Sequence, residues 1–348
     1  MVISLDAPAL HIDAAAMAAG VRKPRIGFLG VGWIGRHRME AMAASGLIDV
    51  AAVADGSGDA LREAQALAPE AAAFGSFEAL LEQALDGVVI ATPSALHADQ
   101  AEAALERGLA VFCQKPLART AAESARVVAA ARAADRLLGV DLSYRHTEAM
   151  RRIRALIAAG DIGEVYAADL VFHNAYGPDK PWFREPRLSG GGCVIDLGIH
   201  LVDLALWSLD FPRVTGVASR LFAQGRPLAV GADAVEDYAV AQFELATGSV
   251  VRLACSWNLP AGCDAVIEVT FHGTRGGLSM KNVGGSFYDF VADRFEGTRT
   301  IRLVEPPDAW GGRAAVRWAG ELASGSGFDA GVERVVDVAR VLDAIYGR

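Results

Sequence analysis

Apolar positions along this chain follow two rhythms. Between Pro24 and about Arg145, short continuous apolar runs alternate with stretches of helical spacing. The runs are Ile26 to Leu29, Val50 to Ala54, Val88 to Ala91, Leu109 to Cys113 and Leu137 to Leu142. Apolar and often β-branched along their whole length, they predict strands covered on both faces. Helices are predicted from about Trp33 to Ala44, Asp59 to Ala68, Phe77 to Gln83 and His97 to Arg107. A further one runs from the capping box of Thr120 and Glu123 to about Ala134. Strands alternating with helices predict a parallel, doubly wound sheet, with its ligand crevice at the carboxyl ends of the strands.

The second rhythm starts near Thr147. Met150, Ile153, Leu156 and Ile157 mark one face of a helix that Gly160 ends. Longer alternating strands follow at Val165 to Phe172, Val217 to Phe222, Tyr238 to Leu245, Ser249 to Trp257 and Ala265 to Phe271. Ala246-Thr247-Gly248 joins two of them as a hairpin, so a mainly antiparallel sheet is expected. Gly331 to Tyr346 closes the chain as an amphipathic helix. The predicted class is α/β plus α+β: a doubly wound domain over residues 24–145, then a mainly antiparallel sheet domain over residues 146–348. Residues 1–23 are Ala-rich, lack a basic start and carry Asp6 and Asp13, so they are expected to be an extension rather than a signal peptide.

The first strand runs into G-x-G-x-x-G, with glycines at Gly30, Gly32 and Gly35 and Trp33 and Ile34 between the last two. Asp55 ends the second strand, about twenty residues beyond Gly35. This is the spacing of a dinucleotide-binding βαβ unit. Gly30 permits the tight turn, Gly32 lets backbone approach a pyrophosphate, and Gly35 lets helix and strand pack closely. The helix N-terminus then faces the phosphate charge. Asp55 can accept both ribose hydroxyls and would repel a 2′-phosphate, and no arginine follows before Arg62, so NAD is favoured over NADP.

Composition narrows the partners. A net charge of −9 over 348 residues argues against nucleic acid. No run approaches eighteen uninterrupted apolar residues, so no membrane span is expected. Cys113, Cys193, Cys255 and Cys263 have no metal-ligand spacing and read as reduced thiols of a cytoplasmic protein, with no metal site.

Three further segments could meet the fingerprint in the crevice. They are Thr92-Pro93-Ser94 with His97, Gln114-Lys115-Pro116, and the run from Gly190 to His200. Asp196 and His200 lie four residues apart, so on a helix they share a face, which Asp203 extends. A lysine at a strand end opposite an Asp/His pair is a candidate proton-transfer set.

From about Pro24 to its closing helix the chain resembles the glucose-fructose oxidoreductase, inositol dehydrogenase and MocA family. The resemblance rests on the fingerprint, Lys115-Pro116 and the G-G-G-x-x-x-D-x-G-x-H run ending at His200. It implies a Rossmann domain, an open-faced α+β domain, NAD or NADP, and a sugar, polyol or cyclic alcohol as substrate. Lys115, Asp196 and His200 match the family's catalytic lysine, aspartate and histidine. Gln114 departs from the pattern, because glutamate usually precedes the lysine.

The resemblance implies hydride transfer from a secondary alcohol. His200 is the expected base, Lys115 stabilises the developing alkoxide, and Asp196 holds the imidazole or binds a neighbouring hydroxyl; Lys115 and His200 could exchange roles. Gly30, Gly32, Trp33, Ile34, Gly35, Asp55, Thr92, Pro93, His97 and Lys115 are the candidate cofactor contacts. His97 could instead pack the start of its helix. Tyr144, Arg145, Trp182 and Arg184 are candidate substrate contacts, with domain linkage open for Tyr144 and Arg145 and loop anchoring for Trp182 and Arg184. Two other readings remain: a glycosidase using tightly held NAD in a closed redox cycle, and a catalytically silent dinucleotide-binding regulator. The second sheet needs its far face covered, and strands such as Tyr238 to Leu245 carry large apolar side chains. A homo-dimer or homo-tetramer through that sheet is therefore expected.

Overall fold

The structure, a computed structural model, describes residues 22–229 and 231–348. The expected extension over residues 1–23 therefore lies almost entirely outside the described residues.

The first sheet has six strands: β1 Arg25–Leu29, β2 Asp49–Ala54, β3 Ala72–Phe74, β4 Gly87–Ile90, β5 Ala110–Cys113 and β6 Leu138–Val140. Their order is β3-β2-β1-β4-β5-β6, all parallel. The order reverses between β1 and β4, which opens a crevice at their carboxyl ends. Every residue of β4 and β5 is buried, as their unbroken apolar runs predict. The connecting helices are α1 Trp33–Ser45, α2 Gly58–Leu67, α3 Phe77–Leu81, α4 Ser94–Glu106 and α5 Ala121–Ala134. Ser57, Ser76 and Thr120 cap α2, α3 and α5 by accepting a main-chain N–H. α4 starts at Ser94, not at His97, so His97 lies inside its first turn.

The second domain opens with α6 Glu148–Ala158. Its sheet contains β7 Val165–Asn174, β8 Val214–Ala223, β9 Arg226–Pro227, β10 Tyr238–Leu245, β11 Val250–Ser256, β12 Ala265–Gly273, β13 Gly276–Asn282, β14 Phe290–Glu296 and β15 Arg299–Val304. The order is β15-β14-β13-β12-β7-β11-β10-β8-β9. Only β7 and β11 pair in parallel; the other neighbours are antiparallel. The β10–β11 hairpin turns where expected, with Gly248 at φ +89°. α6, α7 Ile199–Ser208 and α9 Arg334–Tyr346 pack on one face of this sheet.

α8 Arg313–Ala323 crosses back to the first sheet. Ala314, Ala315, Trp318 and Ala319 are buried with Ile26, Phe28 and Phe112, and the Trp318 and Phe112 rings lie 5.8 Å apart. The boundary expected at residues 145/146 is thus one of sequence only, because residues 313–323 complete the first domain's core.

The outward face of the second sheet differs from expectation. Ala239, Ala241, Phe243 and Leu245 point inward and are buried. The outward positions of β10 are Tyr238, Val240, Gln242 and Glu244, so Phe243 and Leu245 are not part of the exposed face, whereas Val240 is, at 38% exposure. Across the neighbouring strands Arg252 Nε donates to Asp169 at 2.6 Å. His272 Nε2 lies 3.2 Å from the other Asp169 oxygen. One helical stretch, Pro186–Ser208, is long and apolar enough to cross a membrane by length and composition, but 89% of its apolar window is buried inside the fold. It is the core stretch that carries Asp196 and His200.

Candidate active site

The glycine fingerprint is built for close approach. Gly30 has φ +80°. A Cβ there would fall 2.6 Å from the Ala91 carbonyl, and one at Gly35 would fall 1.9 Å from the Gly30 oxygen. Nothing lies within 4 Å of the corresponding point on Gly32, so the N-terminus of α1 faces open space. Asp55 ties this loop to the next, accepting from Val31 N at 2.9 Å and from Ser57 N at 2.8 Å. Each carboxylate oxygen keeps a lone pair for a ribose hydroxyl. These residues fit a dinucleotide: Gly32 would admit a pyrophosphate and Asp55 would accept from a ribose. Trp33 is 65% exposed beside the loop and Ile34 is half-buried.

His97 does not offer a ring nitrogen to a cofactor. It is fully enclosed, with Nε2 2.7 Å from the Thr92 carbonyl oxygen and Nδ1 2.7 Å from that of Pro116. It braces the two loops that flank the crevice, and burial lowers its pKa. Thr92 uses its hydroxyl to donate to Gln100 Oε1 at 2.6 Å, while Pro93 stands as the N-cap of α4.

Lys115 leaves the end of β5 and crosses to the second domain. Its Nζ donates to Asp196 Oδ1 at 2.7 Å and to the Asp196 carbonyl oxygen at 2.8 Å. An ammonium has three N–H donors, so one remains. Asp196 sits in a π-helical turn, Val194–Gly198, that widens the start of α7. Such turns recur at functional sites. The other Asp196 oxygen accepts from Trp257 Nε1 at 3.0 Å.

His200 stands apart from that pair. Among the described residues neither ring nitrogen has a hydrogen-bond partner, and Nδ1 is buried. Its ring centroid lies 4.7 Å from that of Tyr144 and 6.5 Å from that of Phe172. Asp196 therefore does not hold the imidazole, as one of the sequence alternatives had it; aromatic packing does. Burial, then the charges of Lys115 and Arg38, push the His200 pKa well below its ordinary value, so the ring is neutral near pH 7. The acid limb of the activity profile should consequently lie well below the ordinary histidine range; a limb at the ordinary histidine position that Lys115→Met leaves unmoved would contradict this.

The four candidate substrate residues divide. Tyr144 is buried against His200 and Trp310, the latter ring 4.9 Å away, and borders the imidazole. Arg145 is committed elsewhere. Its guanidinium grips both oxygens of buried Asp203 through Nε and Nη2, so it links the turn after β6 to α7. Asp203, 1% exposed, is thereby an internal anchor. Trp182 stacks on Phe183 at 3.8 Å, and Phe183 meets Trp257 edge-on at 6.3 Å. Arg184 is exposed.

Two functional elements escaped the sequence reading. Trp257, at the end of β11, orients Asp196, and nothing in its local sequence signals that. The other is a buried cluster beside Lys115: Asp141 Oδ2 accepts from Arg38 Nε at 2.6 Å and from Gln114 Nε2, and its Oδ1 is buried without a partner among the described residues. The Gln114 amide is thus held by a buried carboxylate, Asp141, which follows β6. A polar residue at the carboxyl end of a parallel strand was the available signal.

A Rossmann sheet with a pyrophosphate-shaped loop, apposed to a sheet domain that delivers a lysine partner and an imidazole, defines the class of two-domain, nicotinamide-dependent oxidoreductases. Residues 24–142 match the family profile described as oxidoreductase family, NAD-binding Rossmann fold, and residues 150–279 match the GFO/IDH/MocA C-terminal domain. The chain belongs to the GFO/IDH/MocA family. It is 31% identical over 223 residues to 1,5-anhydro-D-fructose reductase of Ensifer adhaerens, covering 64% of this chain and 62% of that protein. It is 32% identical over 250 residues to a putative UDP-kanosamine synthase oxidoreductase subunit of Amycolatopsis mediterranei, covering 67% and 68%. Among solved structures, GenD2 from gentamicin A biosynthesis in complex with NAD superposes with a TM-score of 0.79 at 24% identity over 94% of both chains, which supports the fold.

Proposed function

We propose that this protein transfers a hydride between a secondary alcohol of a sugar, inositol or related polyol and NAD. One observation carries the reading: Lys115, fixed twice by Asp196, keeps one N–H free in the crevice that neutral His200 also borders. When bound, nicotinamide supplies the hydride acceptor. Every other task falls to the chain. The free Lys115 N–H donates to the alcohol oxygen and stabilises its growing negative charge. His200 takes the hydroxyl proton as the carbon–oxygen double bond forms. Asp196 and Trp257 hold the amine in place, and Tyr144 walls the imidazole. A panel of sugars and inositols, read by absorbance of reduced nicotinamide, tests this. Product from at least one alcohol is expected; tight dinucleotide binding with no net reduction across the panel favours the silent or closed-cycle readings.

Asp55 supports NAD over NADP, because its carboxylate is fixed where a 2′-phosphate would sit. Asp55→Ser should erode the NAD preference by about tenfold or more, roughly 1.4 kcal/mol of discrimination. Equal kcat/KM ratios in both proteins would count against the assignment.

The uncovered face of the second sheet supports assembly through it into a homo-dimer or homo-tetramer. Its centre is small, with Ala167, Val171, Val240 and Ala254, and its flank carries the Arg252–Asp169–His272 network. A surface of short side chains beside paired charges can meet a second copy of itself. Sedimentation should show an oligomer that Ala254→Arg dissociates; a monomer at tens of micromolar wild-type chain would refute it.

A further inference from the structure

We propose that Glu236 and Tyr346 are positioning residues that set the catalytic turn from outside the crevice, an inference that rests on the redox reading above. Neither touches Lys115, Asp196 or His200. Glu236 precedes β10 and is 1% exposed. Its carboxylate accepts from Gly192 N at 3.0 Å and from Val194 N at 2.8 Å. Its carbonyl oxygen accepts from Cys193 N at 3.0 Å. The Tyr346 hydroxyl, at the end of α9, donates to Glu236 Oε1 at 2.8 Å and accepts from Ile195 N at 3.1 Å. Four consecutive amides, Gly192 through Ile195, are thus held by two side chains and one carbonyl.

These are the N–H groups that a helical run leaves without internal partners. A carboxylate at that end also opposes the positive pole of the backbone dipoles. The arrangement explains two glycines of the triplet. A Cβ on Gly191 would fall 2.0 Å from the Tyr346 hydroxyl, and one on Gly192 would fall 1.9 Å from the Glu236 carbonyl oxygen. The glycines let the clamp close on the chain. Asp196 follows Ile195 directly, so any shift at the clamp moves both Asp196 oxygens that hold Lys115 and, one turn on, His200. Displacements of about 1 Å in a reacting constellation cost on the order of 100-fold in rate.

The chain's last residues add to the hold. Arg348 Nη2 donates to the Gly190 carbonyl oxygen at 3.0 Å and to that of Arg119 at 2.9 Å. The C-terminal helix therefore reaches the same loop from two sides.

Tyr346→Phe removes one hydroxyl and keeps the ring, and Glu236→Gln keeps an acceptor and removes the charge. Both are compared with wild type by kcat, KM, dinucleotide dissociation constant and amide hydrogen exchange. Expected for Tyr346→Phe is a 10- to 100-fold fall in kcat, a dinucleotide constant within about twofold of wild type, and faster exchange at Gly192 to Ile195 with the first sheet unchanged. Faster exchange with unchanged kcat reduces the clamp to a structural tie and overturns the inference, as does unchanged exchange. If Glu236→Gln fails to fold, Tyr346→Phe alone decides. A wild-type protein that reduces no dinucleotide on any alcohol defeats the redox reading instead, and the exchange measurement, which needs no substrate, then decides whether the clamp holds the turn.

Discussion

Lys115→Met should lower kcat by about 100- to 1000-fold and leave dinucleotide binding within a few-fold of wild type, the loss typical when one preorganised donor to a developing oxyanion is removed. The methionine fills much of the same volume, so the crevice keeps its shape. What disappears is the one N–H that Asp196 does not use. Asp196 keeps its Trp257 contact at 3.0 Å, so the π turn retains one of its restraints. Lys115→Arg should recover little, because a planar guanidinium cannot place one donor on the substrate and two on the Asp196 carbonyl and carboxylate from the same point. The informative comparison is with His200→Phe. If His200 is the base, its loss removes the acid limb from the pH profile, whereas Lys115→Met shifts that limb upward, since the lysine's charge is one cause of the depressed imidazole pKa. A Lys115→Met enzyme with near wild-type turnover would end the proposed mechanism.

Most of the first domain was legible because each local signal agreed with the fold. The unbroken runs at Val88 to Ala91 and Leu109 to Cys113 are β4 and β5, buried on both faces. The fingerprint and Asp55 meet because the βαβ unit permits little else. Legibility failed where tertiary packing overrode sequence order. α8 carries a small-residue face, Ala314, Ala315 and Ala319 around Trp318, that matches a sheet some 200 residues earlier; periodicity tells that such a helix is amphipathic, not what it covers. β13, β14 and β15 were missed because charged positions such as Lys281, Asp293 and Arg302 lie on the second sheet's other face and break the apolar pattern. In the site, spacing placed Asp196 and His200 on one helical face but could not foresee the π turn, nor that lysine and indole would take the carboxylate from the imidazole. For Arg145 the sequence left sugar contact and domain linkage open, because its partner, Asp203, lies 58 residues away.

The cluster beside Lys115 makes the other large prediction, because it holds one buried carboxylate among an amide and a guanidinium. Gln114→Glu would set two carboxylates against a single Arg38. One must then hold a proton or both must repel. The variant should lose about 3–5 kcal/mol of stability at pH 8, the range for an uncompensated buried charge. In that variant Asp141 and the new carboxylate at position 114 would share a proton more tightly when folded than when unfolded. The folded state then binds more protons, so its stability falls as pH rises, and the defect should shrink toward pH 5. Asp141→Asn alone should be at least as harmful, since it strands buried Arg38, whose Nε–carboxylate contact of 2.6 Å is lost. The double variant Gln114→Glu, Asp141→Asn exchanges amide for carboxylate at both places without changing length or net charge. It should recover to within about 1 kcal/mol of wild type, a coupling energy far larger than independent sites give. Denaturant unfolding of the four proteins measures this. Simple additivity of the two single losses would mean that Gln114 and Asp141 do not act as one unit. If the double variant is stable yet slow, the position of the carboxylate, and not only its presence, tunes the chemistry at Lys115 and His200.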